Sequence, residues 1–240
     1  MTMRLAAAMS ARLSETVRVA FVDVLGPTPA EVLAELDHEP TVVVPAFLSS
    51  GFHVRHDLPR EVAESGHRAA TVTPALGPSP ELARAMLGRL QESGWQRGDA
   101  VVMAAAGTRD VHAQGELRRT AAALSALVGS RVSIAFAAPS QQSEGYPSVP
   151  EVVARVRSDG AQSVAVASYL LAEGLFQQRL RDAGAGITPK GVRISARAAA
   201  PRTPRAGRRA SEAIEELSFD DPPPVPRNNG GFRPRGGYRR

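Results

Sequence analysis

The chain of 240 residues contains no cysteine. That excludes disulfides, thiolate zinc sites and cysteine nucleophiles, and it is compatible with a reducing compartment. Metal chemistry must therefore rely on histidine, aspartate or glutamate, and there are five histidines. Long apolar runs are lacking as well. Nothing approaches the ~20 residues that span a bilayer, and the N-terminal stretch MTMRLAAAMSARL is interrupted by Arg4 and Arg12. Neither a membrane segment nor a secretory signal is expected, and the sequence reads as cytoplasmic. Lysine is nearly absent: Lys190 stands alone against 28 arginines, a bias better attributed to GC-rich coding than to selection for bidentate guanidinium contacts. The formal net charge of +5 is confined to one end, because residues 197–240 hold ten arginines against five acids. The rest of the chain is close to neutral and has no overall basic field to attract nucleic acid.

What is present is an alternation. Short β-branched runs, VRVAFVDV (17–24), TVVVPAFL (41–48), RAATVTPAL (68–76), DAVVMAAAG (99–107), RVSIAFAA (131–138), QSVAVASYLL (162–171) and GVRISARA (191–198), are separated by Ala/Leu/Glu/Arg stretches. Near-continuous apolar strands between helices imply a parallel sheet covered on both faces, hence an α/β protein. Three helices have readable starts: Thr28 with Pro29, Ser79 with Pro80, and Ser148 with Pro150 each combine an N-cap residue with a proline where a missing N–H costs little. Gly94 and Gly160 mark helix ends.

The alternation is duplicated. RLAAAMSARLSETVRVAF (4–21) aligns without gaps to RTAAALSALVGSRVSIAF (119–136), with nine identical positions. Past an insertion in the second copy, PAEVL (29–33) matches PEVVA (150–154), and PAFLSSGFH (45–53) falls on SYLLAEGLF (168–176) with Gly51 over Gly174. Two tandem half-units follow, 1–95 and 96–196, each a parallel sheet with helices on both faces. Copy two opens with a strand and loop, DAVVMAAAGTRDVHAQGEL (99–117), whereas copy one opens at the helix after it. The first half is therefore expected to lack its first strand, through a start assigned downstream of the true one, which we favour, or through true loss. Residues 197–240, rich in Pro, Gly and Arg, bury too little apolar surface to offset their ordering entropy and read as a disordered basic tail.

The stretch PAFLSSGFHVRHDLP (45–59) places two histidines, His53 and His56, in the turn leaving a strand. In open parallel sheets ligands sit beyond the carboxyl ends of strands. Gly51 permits a close backbone approach, His53 offers a nitrogen lone pair to a borderline metal such as Fe²⁺, Co²⁺ or Ni²⁺, and Asp57 either caps the following helix or holds the imidazole tautomer. The bland alternative is a solvated loop histidine and an N-cap aspartate.

This segment closely resembles the active-site segment of sirohydrochlorin chelatases of the cobalt/iron chelatase superfamily, in which a strand ends in proline and leads through G-x-H to a D-[IL]-P turn. The resemblance extends over residues 4–196, including VDVLGPTPAEVL and TPALGPSPEL, and members with two half-units have this length and kind of repeat. It implies insertion of a divalent metal into sirohydrochlorin, toward sirohaem with iron or a cobalamin precursor with cobalt. Metal ion and macrocycle are then substrates, and no organic cofactor is expected. Two histidines serve in the family. One, in an A-H-G-[ST]-R loop, belongs to the strand absent here; the other corresponds to His53, catalytic and metal-binding. The turn residues Ser50, Gly51, Phe52, Arg55, His56 and Asp57 are the implied substrate-binding set, with Arg55 and His56 either on the rim that meets the macrocycle's carboxylates or merely solvated. In the second half, AAAGTRD (104–110) has Ala106 at the histidine position and Phe176 at the G-x-H position, so that half reads as a degenerate scaffold, with Gly107, Thr108 and Arg109 read chiefly as a structural turn.

Two other readings compete with the enzyme: an inactive tetrapyrrole carrier or interaction module, and a nucleic-acid contact through GGFRPRGGYRR, where Phe232 and Tyr238 lie among Arg-Gly units. A solvated tail is preferred to the latter. The remaining histidines, His38, His67 and His112, lack partners at ligand spacing and are expected to be structural or solvated. Tandem halves make a monomer sufficient.

Overall fold

The computed structural model describes residues 2–23, 25–36, 39–138, 146–171, 175–186 and 192–194. The tail at 197–240, His38 and Gly174 lie outside the described residues. In the second half, β3 (Ala100–Ala105), β4 (Val132–Phe136), β5 (Val164–Tyr169) and β6 (Val192–Ile194) form a parallel sheet in the order β4-β3-β5-β6. In the first half, β1 (Thr41–Val43) and β2 (Ala70–Val72) form a separate parallel pair. The helices are α1 (Thr2–Leu13), α2 (Pro29–Ala34), α3 (Leu58–Glu64), α4 (Pro80–Glu92), α5 (Val111–Val128), α6 (Val149–Ser158) and α7 (Leu175–Gly186). The α/β class and the parallel pairing are as the alternation implies.

Successive side chains of a strand point to opposite faces, and the larger sheet uses both. Val101, Met103 and Ala105 join a core with Leu82, Met86 and Leu90 of α4 and Leu117, Leu124 and Val128 of α5. Val102, Ala104, Val164 and Val166 pack on the other side with Val149, Val152 and Val153 of α6 and with Leu180. α4, whose sequence belongs to the first half, is thereby part of the wall of the second-half sheet.

Helix starts follow the chemistry of their caps. The Thr28 hydroxyl accepts from the Glu31 N–H while the Glu31 carboxylate accepts from the Thr28 N–H, a reciprocal capping box. Ser79 Oγ accepts from Leu82 N–H, and the Glu151 carboxylate accepts from both the N–H and the hydroxyl of Ser148. Those hydrogen bonds hold the exposed Glu151 carboxyl below its ordinary pKa, the Ser148 hydroxyl chiefly.

The repeat is visible in three dimensions. α5–β4–α6–β5–α7–β6 recurs as α1, residues 17–21, α2, β1, the turn and α3, then β2. It reaches a backbone detail: α5 ends at Gly129, which adopts the left-handed φ of 76°, and α1 ends at Ser14, the aligned position, with φ 55°. One expectation fails. Residues 17–23 are not a strand. Their counterpart β4 has β3 as its one partner strand among the described residues, and among the described residues nothing in the first half takes the place of β3. An extended apolar segment without a neighbour to exchange hydrogen bonds forms no ladder.

Candidate active site

The chain leaves β1 through Pro45–Gly51 and coils into a single π-helical turn, His53–Asp57, that runs directly into α3. The Leu58 N–H donates to the His53 carbonyl and the Arg55 N–H to the Gly51 carbonyl. Such turns are frequent at functional sites. Here the winding places His53 and Asp57 on one side: Nδ1 of His53 lies 2.7 Å from Oδ2 of Asp57. A carboxylate only accepts, so Nδ1 is the donor of this contact, and in the neutral ring Nε2 is then the nitrogen with the lone pair. The His53 side chain is 48% exposed and that of Asp57 14%. The sheltered partner thus fixes the ring, and the imidazole reaches solvent.

Of the two roles open to Asp57, the structure selects one. Its side chain makes no capping bond to α3; it holds the imidazole, with Arg60 3.6 Å from its other oxygen. The Phe47 ring stacks near His53 at 6.4 Å and Phe52 meets it edge-on at the same separation. Phe52 also lies 4.7 Å from the ring of His56 and is 59% exposed, an apolar surface beside the metal-binding candidate. Gly51 does not need to be glycine for closeness: its backbone is outside the left-handed region, and an added Cβ would come no nearer than 4.0 Å, to Ala113 Cβ. Among the described residues there is no group of three or more His, Asp or Glu arranged to hold a metal. The arrangement is one open imidazole nitrogen backed by one carboxylate.

Sequence reasoning missed what holds this turn in place. Beside the Leu76 and Gly77 N–H groups, which donate to the Pro45 and Phe47 carbonyls from within the first half, three anchors come from the second half. The Glu116 carboxylate, on α5, accepts the Ser50 N–H. Arg55 donates through Nε to the Ser50 carbonyl at 3.0 Å and pairs with Asp110, the N-cap of α5. The Tyr169 hydroxyl, at the end of β5, donates to the Leu48 carbonyl at 2.7 Å. Burial pushes the Tyr169 phenol up to about 12, so it stays a donor throughout the physiological range. Asp110 is held below its ordinary value, first by the Ala113 N–H, which outweighs the opposing effect of burial, and then by Arg55. A depressed carboxylate stabilises above its unfolded pKa, near 3.9, and that contribution is lost as pH falls through the folded value. The Arg55–Asp110 pair therefore persists at neutral pH. Arg55, expected either on the rim or merely solvated, is engaged in this clasp while its side chain stays 40% exposed.

The other expectations resolve as follows. Gly107 has φ 126° and its missing Cβ would lie 2.8 Å from the Ala138 carbonyl oxygen, so the turn in AAAGTRD requires glycine at this position. Thr108 Oγ1 accepts the Asp110 N–H within it. Phe176, half-exposed, has the Arg179 guanidinium 5.8 Å over its ring. His67 is buried rather than solvated, and His112 lies 3.4 Å from Glu116. One signal in the sequence pointed to Glu116: it interrupts the apolar stripe of α5 formed by Ala113, Leu117, Ala121, Leu124 and Val128. No helix of the described residues is long and apolar enough to cross a membrane.

Comparison with known proteins agrees with this architecture. SirB from Bacillus subtilis, solved with Fe3+, superimposes with a TM-score of 0.64 at 20% identity, covering 80% of this chain and 79% of that one. The sirohydrochlorin chelatase SirB from Bacillus subtilis subspecies spizizenii in complex with cobalt gives 0.56 at 18% identity, with 80% of each chain covered. CbiX, described as the terminal enzyme for biosynthesis of sirohaem in denitrifying bacteria, gives 0.54 at 22% identity, covering 77% of this chain and 76% of that one. At these identities the likeness establishes the fold. Among curated proteins none matches the chain by sequence. The CbiX family profile matches residues 1–93 and again 100–201, one match for each half of the repeat. The chain therefore belongs to the CbiX family, whose members are chelatases, enzymes of the lyase class.

Proposed function

We propose that the chain inserts a divalent metal ion, Fe²⁺ or Co²⁺, into sirohydrochlorin, on the route to sirohaem or to a cobalamin precursor, and that His53 is the residue that handles both metal and proton. The observation that carries the reading is the His53–Asp57 pair: a ring fixed through Nδ1 at 2.7 Å, with Nε2 outside that contact and the side chain half open to solvent. Family membership supplies the reaction class, and the cobalt and Fe3+ bound by the SirB structures support the metal type.

The chemistry is an exchange of one M²⁺ for two pyrrole N–H protons. A single nitrogen lone pair cannot hold metal and proton together, so the two tasks are sequential. Nε2 first delivers the ion to the macrocycle and then accepts the two displaced protons one after the other, passing each to water before taking the next. Asp57 stabilises the imidazolium in that second state. Phe52 offers the macrocycle an apolar face, with His56 beside it. Ser50 and Gly51 supply the backbone of the turn. Arg55, with two of its five donors engaged by Ser50 and Asp110, retains N–H groups for a substrate carboxylate.

The test is the absorbance change of metal insertion after mixing the purified chain with sirohydrochlorin and Co²⁺, or Fe²⁺ without oxygen. Acceleration over the protein-free rate is expected, and His53→Ala is expected to lower it by at least about 100-fold, the scale of a lost acid–base group. Unchanged activity in that variant contradicts the assignment of His53. Binding of the macrocycle with no acceleration in the unsubstituted chain would make the protein a carrier instead.

A further inference from the structure

Glu116 is the one carboxylate in the buried set of the described residues, at 5% exposure, and it lies on the face of α5 that otherwise carries Ala113, Leu117, Thr120 and Ala121. A carboxylate in such surroundings persists only where its charge is answered by hydrogen bonds and opposite charge. Its two oxygens divide that work. Oε1 faces cationic or polar groups of its own helix, Nε2 of His112 at 3.4 Å and Nη2 of Arg119 at 3.5 Å. Oε2 leaves the helix and accepts the backbone N–H of Ser50, 66 residues earlier in the chain. Ser50 is three residues before His53, and its carbonyl is the acceptor for Arg55 Nε. Both faces of the Ser50 peptide environment are thus tied to α5, one directly through Glu116 and one through Arg55 and Asp110.

We propose that Glu116 is a positioning residue for metal handling. The second half of the repeat, which carries Ala106 and Phe176 where histidines would stand, acts on the reaction by fixing the backbone from which His53 projects. The proposal rests on the reading of His53 given above. Its physical content is that the entry to the π-helical turn is set by a buried charge on another half of the protein, so that the direction of Nε2 depends on α5 and not on the turn alone. Glu116 touches neither metal nor macrocycle in this scheme; it acts through Ser50 and Gly51.

The experiment compares Glu116→Ala and Glu116→Gln with the unsubstituted full chain in three measurements. Amide hydrogen exchange of residues 50–57 reads the clamp itself, independent of any reaction. Glu116→Ala is expected to speed exchange at Ser50 and through the turn by about tenfold or more, the factor that ~1.4 kcal/mol represents, while protection in β3 and β5 stays unchanged. Co²⁺ affinity, measured against a competing chelator without macrocycle, is expected to fall about 10-fold, the range for groups that orient a ligand. In the insertion reaction kcat falls and KM for the macrocycle stays within about twofold. Glu116→Gln keeps an acceptor oxygen at the same reach and is expected to recover most of the exchange protection and Co²⁺ affinity; should the alanine variant not fold, the glutamine variant and a Glu116→Asp variant, whose carboxylate is withdrawn by one methylene, supply the comparison. Unchanged exchange at Ser50 in a folded Glu116→Ala protein overturns the proposal, as does faster exchange with unaltered Co²⁺ affinity, which would make Glu116 structural only. If His53→Ala leaves Co²⁺ binding intact, the reading of His53 fails, and the exchange result still decides whether the clamp exists.

Discussion

In the second half β3 is hydrogen-bonded on both sides, to β4 and β5, and Val102, Met103 and Ala104 are fully buried; in the first half, among the described residues, β1 has only β2, and Val42, which the repeat aligns with the buried Ala165, is 64% exposed. Val72 of β2 is 40% exposed. The two halves descend from one pattern, yet among the described residues only the second half has strands, β3 and β5, buried along all or nearly all of their length. The second half carries no histidine in its turn, and the half with the histidine borrows rigidity from it. If His53 acts as proposed, stability and chemistry are divided between the copies, and the contacts of Glu116, Asp110 and Tyr169 with residues 48–55 are where they are joined.

That division is open to breaking from several directions. The largest effect is expected in the second-half core: Leu124→Ala removes a fully buried side chain and should destabilise by ~2–5 kcal/mol, whereas Val42→Ala, on the exposed strand, should change stability by no more than ~0.5 kcal/mol. Chemical denaturation of both variants checks this, and comparable losses would mean the first half is as tightly packed as the second. Next comes the junction. A Cβ on Gly77 would lie 2.3 Å from the Leu48 carbonyl oxygen and 2.6 Å from the Tyr169 hydroxyl, so Gly77→Ala should cost ~1–3 kcal/mol through overpacking and slow metal insertion by displacing the turn; wild-type thermal stability would contradict that contact. The smallest effect tests the repeat at one backbone position. Ser14 and Gly129 share the left-handed conformation that ends their helices, which costs a non-glycine residue ~1–2 kcal/mol. Ser14→Gly is expected to stabilise and Gly129→Ala to destabilise by about 1 kcal/mol, read as opposite shifts in denaturation midpoint.

The same comparison explains what could be read in advance. Properties that depend on near neighbours were legible: the caps at Thr28 and Ser79, the apolar strands of the second half, the duplication, and the G-x-H turn with a carboxylate four residues on. The aligned pair Ser14 and Gly129 was open to the same reasoning. Residues 17–23 were misread because a strand is a property of two segments, and β-branched sequence specifies no ladder where the partner is missing. The role of Asp57 stayed undecided because capping and ring-holding ask for the same residue at the same spacing; only the π-helical winding distinguishes them. Glu116 to Ser50 and Tyr169 to Leu48 join residues 66 and 121 positions apart, and no local pattern encodes such a contact. Its trace in the sequence is a charge on an apolar helix stripe.

The central claim is that His53 presents an unprotonated Nε2 to the metal while Asp57 holds Nδ1. Titrating the chain, with its histidine rings ¹⁵N-labelled, with Co²⁺ and following the imidazole resonances tests it most directly. The account predicts that His53 responds first, at Nε2, while its Nδ1 remains protonated, and that Asp57→Asn weakens the response by about 10-fold or more. A titration in which the His53 resonances stay unperturbed while another histidine binds the metal would contradict it.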